Sequence, residues 1–177
     1  AELLGLNGAT LAEEDITRLT TRDLQASVGF ASRGSLLPTR LVEGLPVISL
    51  NVDRVNVEFF RIKPESLPAF LSRWGRSSNL ESWEASNLLP MAELVYEGRF
   101  ELNPAPNTRE TLLLPIAGLE PLQQPGVYLA VMRAAGSHNY SQPATLFSLS
   151  DIGLSAHRYR NQLDVFTQAL DGGEAQA

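Results

Sequence analysis

The 177-residue sequence predicts a mainly β protein, an antiparallel β-sandwich that carries a short helical insertion. Three observations lead there. Short runs of alternating apolar and polar residues recur along the chain between Pro and Gly turns. Over residues 64–94 strict alternation gives way to helical spacing. Near the C-terminal third, two extended runs, 126–132 and 144–149, flank a Gly- and Ser-containing loop at 136–141, the pattern of a closing hairpin. A doubly wound sheet would instead alternate strands with helices throughout.

Taken in order, residues 1–24 begin with an Asn7-Gly8 turn signal. Thr10 to Glu13 fits a capping box opening a short helix, while Ile16, Thr17, Thr20 and Thr21 favour an extended return strand, and the balance favours the strand. Arg22, Asp23 and Leu24 read as a linker. An alternating segment starts at Ser27 and runs to Pro38, and residues 39–45 form a loop. The stretch 46–63, PVISLNVDRVNVEFFRIK, is the centre of the sheet. Ile48, Leu50 and Val52 supply its first inward face, Val55, Val57 and Phe59 its second, and the change of phase places a bulge, bend or strand crossing at Asp53-Arg54.

Beyond Lys63, Pro64 suits the first turn of a helix and Gly75 its end, and a second helical run at 80–94 is interrupted by Pro90. Leu67, Phe70, Leu71, Trp74, Leu88 and Leu89 form the apolar side, expected to cover the sandwich edge. Trp74 lies on that stripe and should be packed. Trp83, flanked by Glu81, Ser82 and Glu84, is open to either packing or a partner. Extended signals return at 95–102 and 111–116, and a last extended run at 162–170 has nothing left to pair with inside a closed sandwich. The expected core is Val28, Phe30, Ile48, Leu50, Val55, Val57, Phe59, Tyr128, Ala130 and Phe147.

Composition narrows the function classes. A net charge of −6 with scattered Lys and Arg argues against nucleic acid as a partner. No apolar run approaches the roughly 18 residues of a membrane helix, so no direct insertion into a membrane is expected. With no cysteine, disulfides, thiolate nucleophiles and zinc-thiolate sites are excluded together. No signal peptide opens the sequence, which says little about export.

Site chemistry is sparse. His138 and His157 are the two histidines. His138, in a Gly-Ser-His-Asn loop, reads as solvated, and His157 as a polar contact past a domain junction. A hydrolytic triad would have to use Ser137 or Ser150 with His157 and Asp151, and no Gly-x-Ser-x-Gly elbow supports it. Glu13, Glu14 and Asp15 lack the alternating ligand spacing of a calcium loop. Asn139-Tyr140-Ser141 has the pattern of a glycosylation sequon and reads as a surface loop, and Asp151-Ile152-Gly153 as a junction. The expectation is a chain without catalytic, cofactor or metal residues, and not an enzyme.

SVGFASRGSLLP, then GLPVISLNVDRVNVEFFRIKPESLPAFLSRW, LVYEGRFELNPAPNTRETLLLP, PGVYLAVM and ATLFSLSDIGLSAHRYRNQLDVFTQALDGGEAQA, in this order, resemble the N-terminal region of bacterial alpha-2-macroglobulin. In that family a series of seven-stranded macroglobulin-like (immunoglobulin-like) sandwiches builds a periplasmic, broad-spectrum endopeptidase inhibitor, anchored as a membrane lipoprotein. The resemblance implies the tail of a preceding β domain at 1–24, a macroglobulin-like sandwich at 25–148 with its insertion at 64–94, and the first strands of the next domain at 149–177. The implied partners are neighbouring macroglobulin-like domains and, through the parent, proteases. No cysteine is present for the family's thioester or lipobox, and no bait segment is recognised, so no functional residue carries over. The competing class is a free-standing exported sandwich that binds carbohydrate or protein, which a planar row of exposed aromatics would favour.

Overall fold

Asn51 takes a left-handed backbone, φ 53°, and there the central stretch leaves one sheet for another. The computed structural model describes residues 6, 8, 16–19, 21–31, 35–37, 44–75, 77–137 and 140–170. In chain order its strands are β1 (Ser27–Phe30), β2 (Ser35–Leu37), β3 (Gly44–Leu50), β4 (Arg54–Ile62), β5 (Asn79–Glu81) and β6 (Ala92–Glu101). They continue with β7 (Glu110–Pro115), β8 (Gly126–Ala134), β9 (Ser141–Leu149), β10 (Ile152–Arg158) and β11 (Leu163–Ala169), and the helices are α1 (Leu67–Trp74) and α2 (Ala85–Leu88).

One sheet runs β1-β3-β7, all antiparallel, and a larger one runs β2-β9-β8-β4-β6, with β5 also paired to β9. β2 lies parallel to the C-terminal end of β9, Ser35 opposite Phe147, while β5 pairs with its beginning, Asn79 opposite Pro143. β10 and β11 pair with each other in a separate two-stranded sheet.

Between the two large sheets lies the main core. Val55, Val57 and Phe59 of β4, Tyr128, Ala130 and Met132 of β8, and Phe147 and Leu149 of β9 meet Leu45, Val47 and Leu114 from the opposite sheet. Phe59 is its hub, with ring centroids 6.2 Å from Tyr96, 6.4 Å from Phe100 and 6.3 Å from Phe147. Val28 and Phe30 are partly buried against this core, as expected of a strand at the sheet margin.

The expected face of β3 is corrected. Leu45, Val47 and Ser49 point inward and are buried, whereas Ile48 and Leu50 are half-buried on the other face. Ser49 disguised the pattern: its hydroxyl donates to the Val52 carbonyl at 2.8 Å, so a polar side chain is satisfied in the core. The loop expected over residues 39–45 is shorter at its end, since β3 opens at Gly44, where a Cβ would stand 2.5 Å from the Leu114 carbonyl oxygen. The break after β3 is real and occupies residues 51–53. Its cause is the change of sheet, not a change of phase, since odd positions face the core on both sides of it.

A second core lies on the outer face of the larger sheet. Phe60, Ile62, Leu129, Val131 and Ala144 are covered by Phe70, Trp74, Leu80 and Leu88 of the insertion. Continuing odd-even alternation thus buries both faces of β4 beyond Phe59, while Asn56 and Glu58 stay half-exposed. Register slips between Phe59 and Phe60, where β6 carries one extra residue, and Val95 and Tyr96 both turn toward the main core.

Within the insertion, a 3-10 turn at Pro64–Ser66 leads into α1, which ends at Gly75 as expected. Gly75 is right-handed, φ −58°, and the reason for glycine there is space, since a Cβ would lie 2.5 Å from the Leu71 carbonyl oxygen. The expected second helix at 80–94 is corrected: it is the strand β5, a 3-10 turn at Ser82–Glu84, the single turn α2 and the start of β6. The helices also lie on the sheet's outer face rather than its edge, which β5 and β2 cover instead. Accordingly Leu71 and Leu89, expected on the packed side, are exposed. The return strand expected from Ile16, Thr17, Thr20 and Thr21 does not form at residues 16–19 or at 21, and Ile16 and Leu19 are exposed. Thr10 to Asp15 lie outside the described residues.

Candidate functional site

The residues a hydrolytic triad would need do not converge: Ser150 and Asp151 are neighbours, while Ser137 and His157 lie elsewhere. Ser137 closes the turn after β8, its hydroxyl donating to the Ala134 carbonyl at 2.9 Å. Ser150 follows β9 at the other end of the sheet, where it donates to the Ile152 carbonyl and accepts from the Ile152 amide. His157 is exposed five positions along β10 from Ile152, about 17 Å at strand rise, and its ring packs edge-on against Phe166 at 5.7 Å. Asp151 instead offers its carbonyl to the Leu170 amide at 2.8 Å, closing the base of the β10–β11 hairpin. His138, Asn139 and the Glu13 to Asp15 cluster lie outside the described residues, and among the described residues no three acidic or histidine side chains converge as metal ligands.

Charge gathers at one place on the outer face. Glu58 on β4 sits opposite Glu97 on β6, and Arg133 of β8 reaches both, at 3.4 Å and 3.5 Å. Burial pushes the Glu58 carboxyl above its ordinary value; Arg133 opposes that and Glu97 adds to it. Beside them the Arg99 guanidinium donates to Asn56 at 3.0 Å. Tyr128, whose hydroxyl donates to the Gln124 carbonyl at 2.7 Å, is likewise raised by burial, with Arg61 opposing.

Both ends of the sandwich are built to hold chain. At the end near Arg54, the side chains of Asn51 and Asn107 bind the backbone of Leu24 and the carboxylate of Asp23. At the opposite end, β9 runs into β10 through Ser150, whose amide donates to the Leu37 carbonyl at 3.2 Å. The register puts Arg54 near Ala134 and Arg61 opposite Tyr128, with Gly126 opposite Leu149, so entry and exit lie at opposite poles of the larger sheet. The hairpin beyond the exit pole is amphipathic. By register Ile152, Leu154, Ala156, Leu163, Val165 and Ala169 share one face with Arg158 and Thr167, and Ser155, His157, Asp164, Phe166 and Gln168 share the other. Ile152, Leu154, Leu163 and Val165 are all exposed there.

Sequence reasoning missed β10 and the asparagine pair. The alternation of Ile152, Leu154 and Ala156 was available as a signal for the strand; nothing in a single sequence pairs Asn51 with Asn107. Aromatics do not form a row on the described surface: Trp83 and Tyr140 are the exposed ones near the insertion, and Trp74 is buried.

Residues 29–147 match the family model described as the bacterial alpha-2 macroglobulin MG2 domain. Alpha-2-macroglobulin of Escherichia coli strain K12 is 63% identical over 175 residues, which is 99% of this chain and 11% of that protein. Alpha-2-macroglobulin of Xylella fastidiosa strain Temecula1 is 41% identical over 179 residues, 97% of this chain and 11% of that protein. The chain therefore spans 11% of the length of these curated relatives. Among solved structures, native alpha-2-macroglobulin from E. coli spanning domains MG0-NIE-MG1 superposes with a TM-score of 0.77 at 62% identity, covering 99% of this chain and 55% of that one. Trypsin activated alpha-2-macroglobulin from E. coli gives a TM-score of 0.76 at 66% identity, covering 85% of this chain and 10% of that one.

Proposed function

Because the chain belongs to the bacterial alpha-2-macroglobulin family, we propose that it serves as a structural, non-catalytic module of a protease-trapping inhibitor, linking one domain to the next. One observation carries this reading: a hairpin with an exposed apolar face follows the exit pole, lying beyond the residues that match the family model. Apolar area left open on one face of a two-stranded sheet has a physical demand for cover, and two strands alone are marginal in water. A further sandwich nucleated on β10 and β11 would supply that cover. The proposed division is thus a preceding domain ending near residue 24, a sandwich over 25–148, and the first strands of a following domain over 149–177.

In this reading the parent works in the periplasm, held to the membrane as a lipoprotein, as the sequence resemblance implies, and its partners are proteases. That an E. coli relative was solved in a trypsin activated state supports the protease connection. The chain itself contributes spacing and orientation. Titrating trypsin with the isolated chain, with hydrolysis of a large protein substrate as readout, should leave the activity intact, because no cysteine is present for covalent capture. Stoichiometric loss of activity would overturn the module reading.

A further inference from the structure

We infer that Asn51 and Asn107 form a side-chain latch that docks the entering segment, residues 23–24, on the pole of the sandwich and so fixes the direction from which the preceding chain arrives. Asn107 Oδ1 accepts the Leu24 amide at 2.8 Å, and Asn51 Nδ2 donates to the Leu24 carbonyl at 2.8 Å. Leu24 therefore has both backbone groups taken, as in a strand pair, by two amide side chains in place of a neighbouring strand. The two asparagines also hold each other. Asn51 Nδ2 donates to Asn107 Oδ1 at 3.0 Å, and the Asn107 amide donates to Asn51 Oδ1 at 2.6 Å. Asn107 Nδ2 then reaches Asp23 Oδ1 at 2.9 Å.

Three segments far apart in sequence meet here: the entry, the turn between β3 and β4, and the loop between β6 and β7. Both asparagines are left-handed, with φ of 53° and 57°, a conformation that asparagine tolerates and that turns each side chain back toward its own loop. Leu24 is 54% exposed and Asp23 is exposed as well, so apolar burial contributes little to holding the segment down. The amide contacts are what remain to fix it. The latch deepens the reading of the chain as an in-line module, yet it rests on this chain's own residues, and its failure would leave that reading standing.

The left-handed backbone permits a clean test, since glycine keeps φ positive while deleting the amide. Asn107→Gly and, independently, Asn51→Gly should speed hydrogen exchange of the Leu24 amide about tenfold, the factor that loss of a hydrogen bond or two implies. Asn103→Gly is the control, being left-handed in the same loop but outside the latch. Exchange in β4 should stay unchanged in all three. The absence of cysteine allows a second readout, with spin labels at Thr21→Cys and Gln123→Cys, one near each pole. The parent should give a narrow distance distribution that broadens with Asn107→Gly and not with Asn103→Gly. Leu24 exchange that follows the Asn103→Gly control, or a parent distribution as broad as the Asn107→Gly variant's, would overturn the latch.

Discussion

Phe59 has no exposed surface and contacts three other rings, so its truncation tests the core at its hub. Phe59→Ala should cost about 3 to 5 kcal/mol in urea unfolding, and a loss below about 1 kcal/mol would place that ring outside the load-carrying core. Glu58 makes a pH-dependent prediction. Its folded pKa is raised, so the carboxyl is neutral at no cost below its unfolded value and must ionise in a partly buried site as pH rises through the folded one. Stability contributed by this group is present below the ordinary carboxylate range and is lost as pH rises through the raised folded value. Glu58→Gln should therefore raise the Tm relative to the parent at pH 7 and leave it unchanged at pH 4; equal shifts at both values would show that packing rather than ionisation decides. At this scale the sequence was legible where apolarity and inward direction coincide, as at Val55, Val57 and Phe59. It misled at Ser49, because a hydroxyl that bonds to its own turn can occupy a core position that no hydropathy pattern marks.

Among the elements, the insertion joins α1 to the strand that follows through one carboxylate. Glu84 accepts the Trp74 indole N–H and the Glu81 amide, both at 3.1 Å, while the Arg73 guanidinium lies 4.5 Å over the Trp74 ring. Trp74 is 4% exposed and Trp83 64%. Since these are the two tryptophans, emission reports on the insertion alone. Trp83→Phe should leave a blue-shifted band that acrylamide quenches slowly, and Trp74→Phe a red-shifted, readily quenched one; a water-like spectrum from Trp74 would sink the packing claim. Helical spacing announced α1 because four apolar residues, Leu67, Phe70, Leu71 and Trp74, recur at helical intervals over two turns. β5 was invisible for a different reason: three residues cannot display a period, and its strand character comes from pairing with β9, supplied by residues sixty or more positions away. The parallel contact of β2 with β9 is tertiary in the same sense.

At the scale of the whole molecule, β4 and β8, nine residues each, set the poles about 30 Å apart. A chain that enters at one pole and leaves at the other acts as a spacer, and its worth to a larger assembly depends on how firmly each end is fixed. Alternation could reveal the strands but not which end of the sheet each connection occupies, so this polarity came only with the register. The exit pole yields the last prediction. Leu154 and Val165 lie on the apolar face of the hairpin, next to each other by register two positions apart, and both are exposed in this chain. Replacing both with Ser should therefore alter the urea stability of the 177-residue chain by no more than about 0.5 kcal/mol per site, the usual range for surface changes. In a chain extended through the following residues of its parent, the proposed following sandwich would take the same two positions into its core, and each substitution should then cost about 2 kcal/mol or more. Unfolding of the two chains side by side distinguishes the outcomes: a penalty equally small in the extended chain would mean that the apolar face meets no following domain, and the proposed boundary near residue 149 would fall with it.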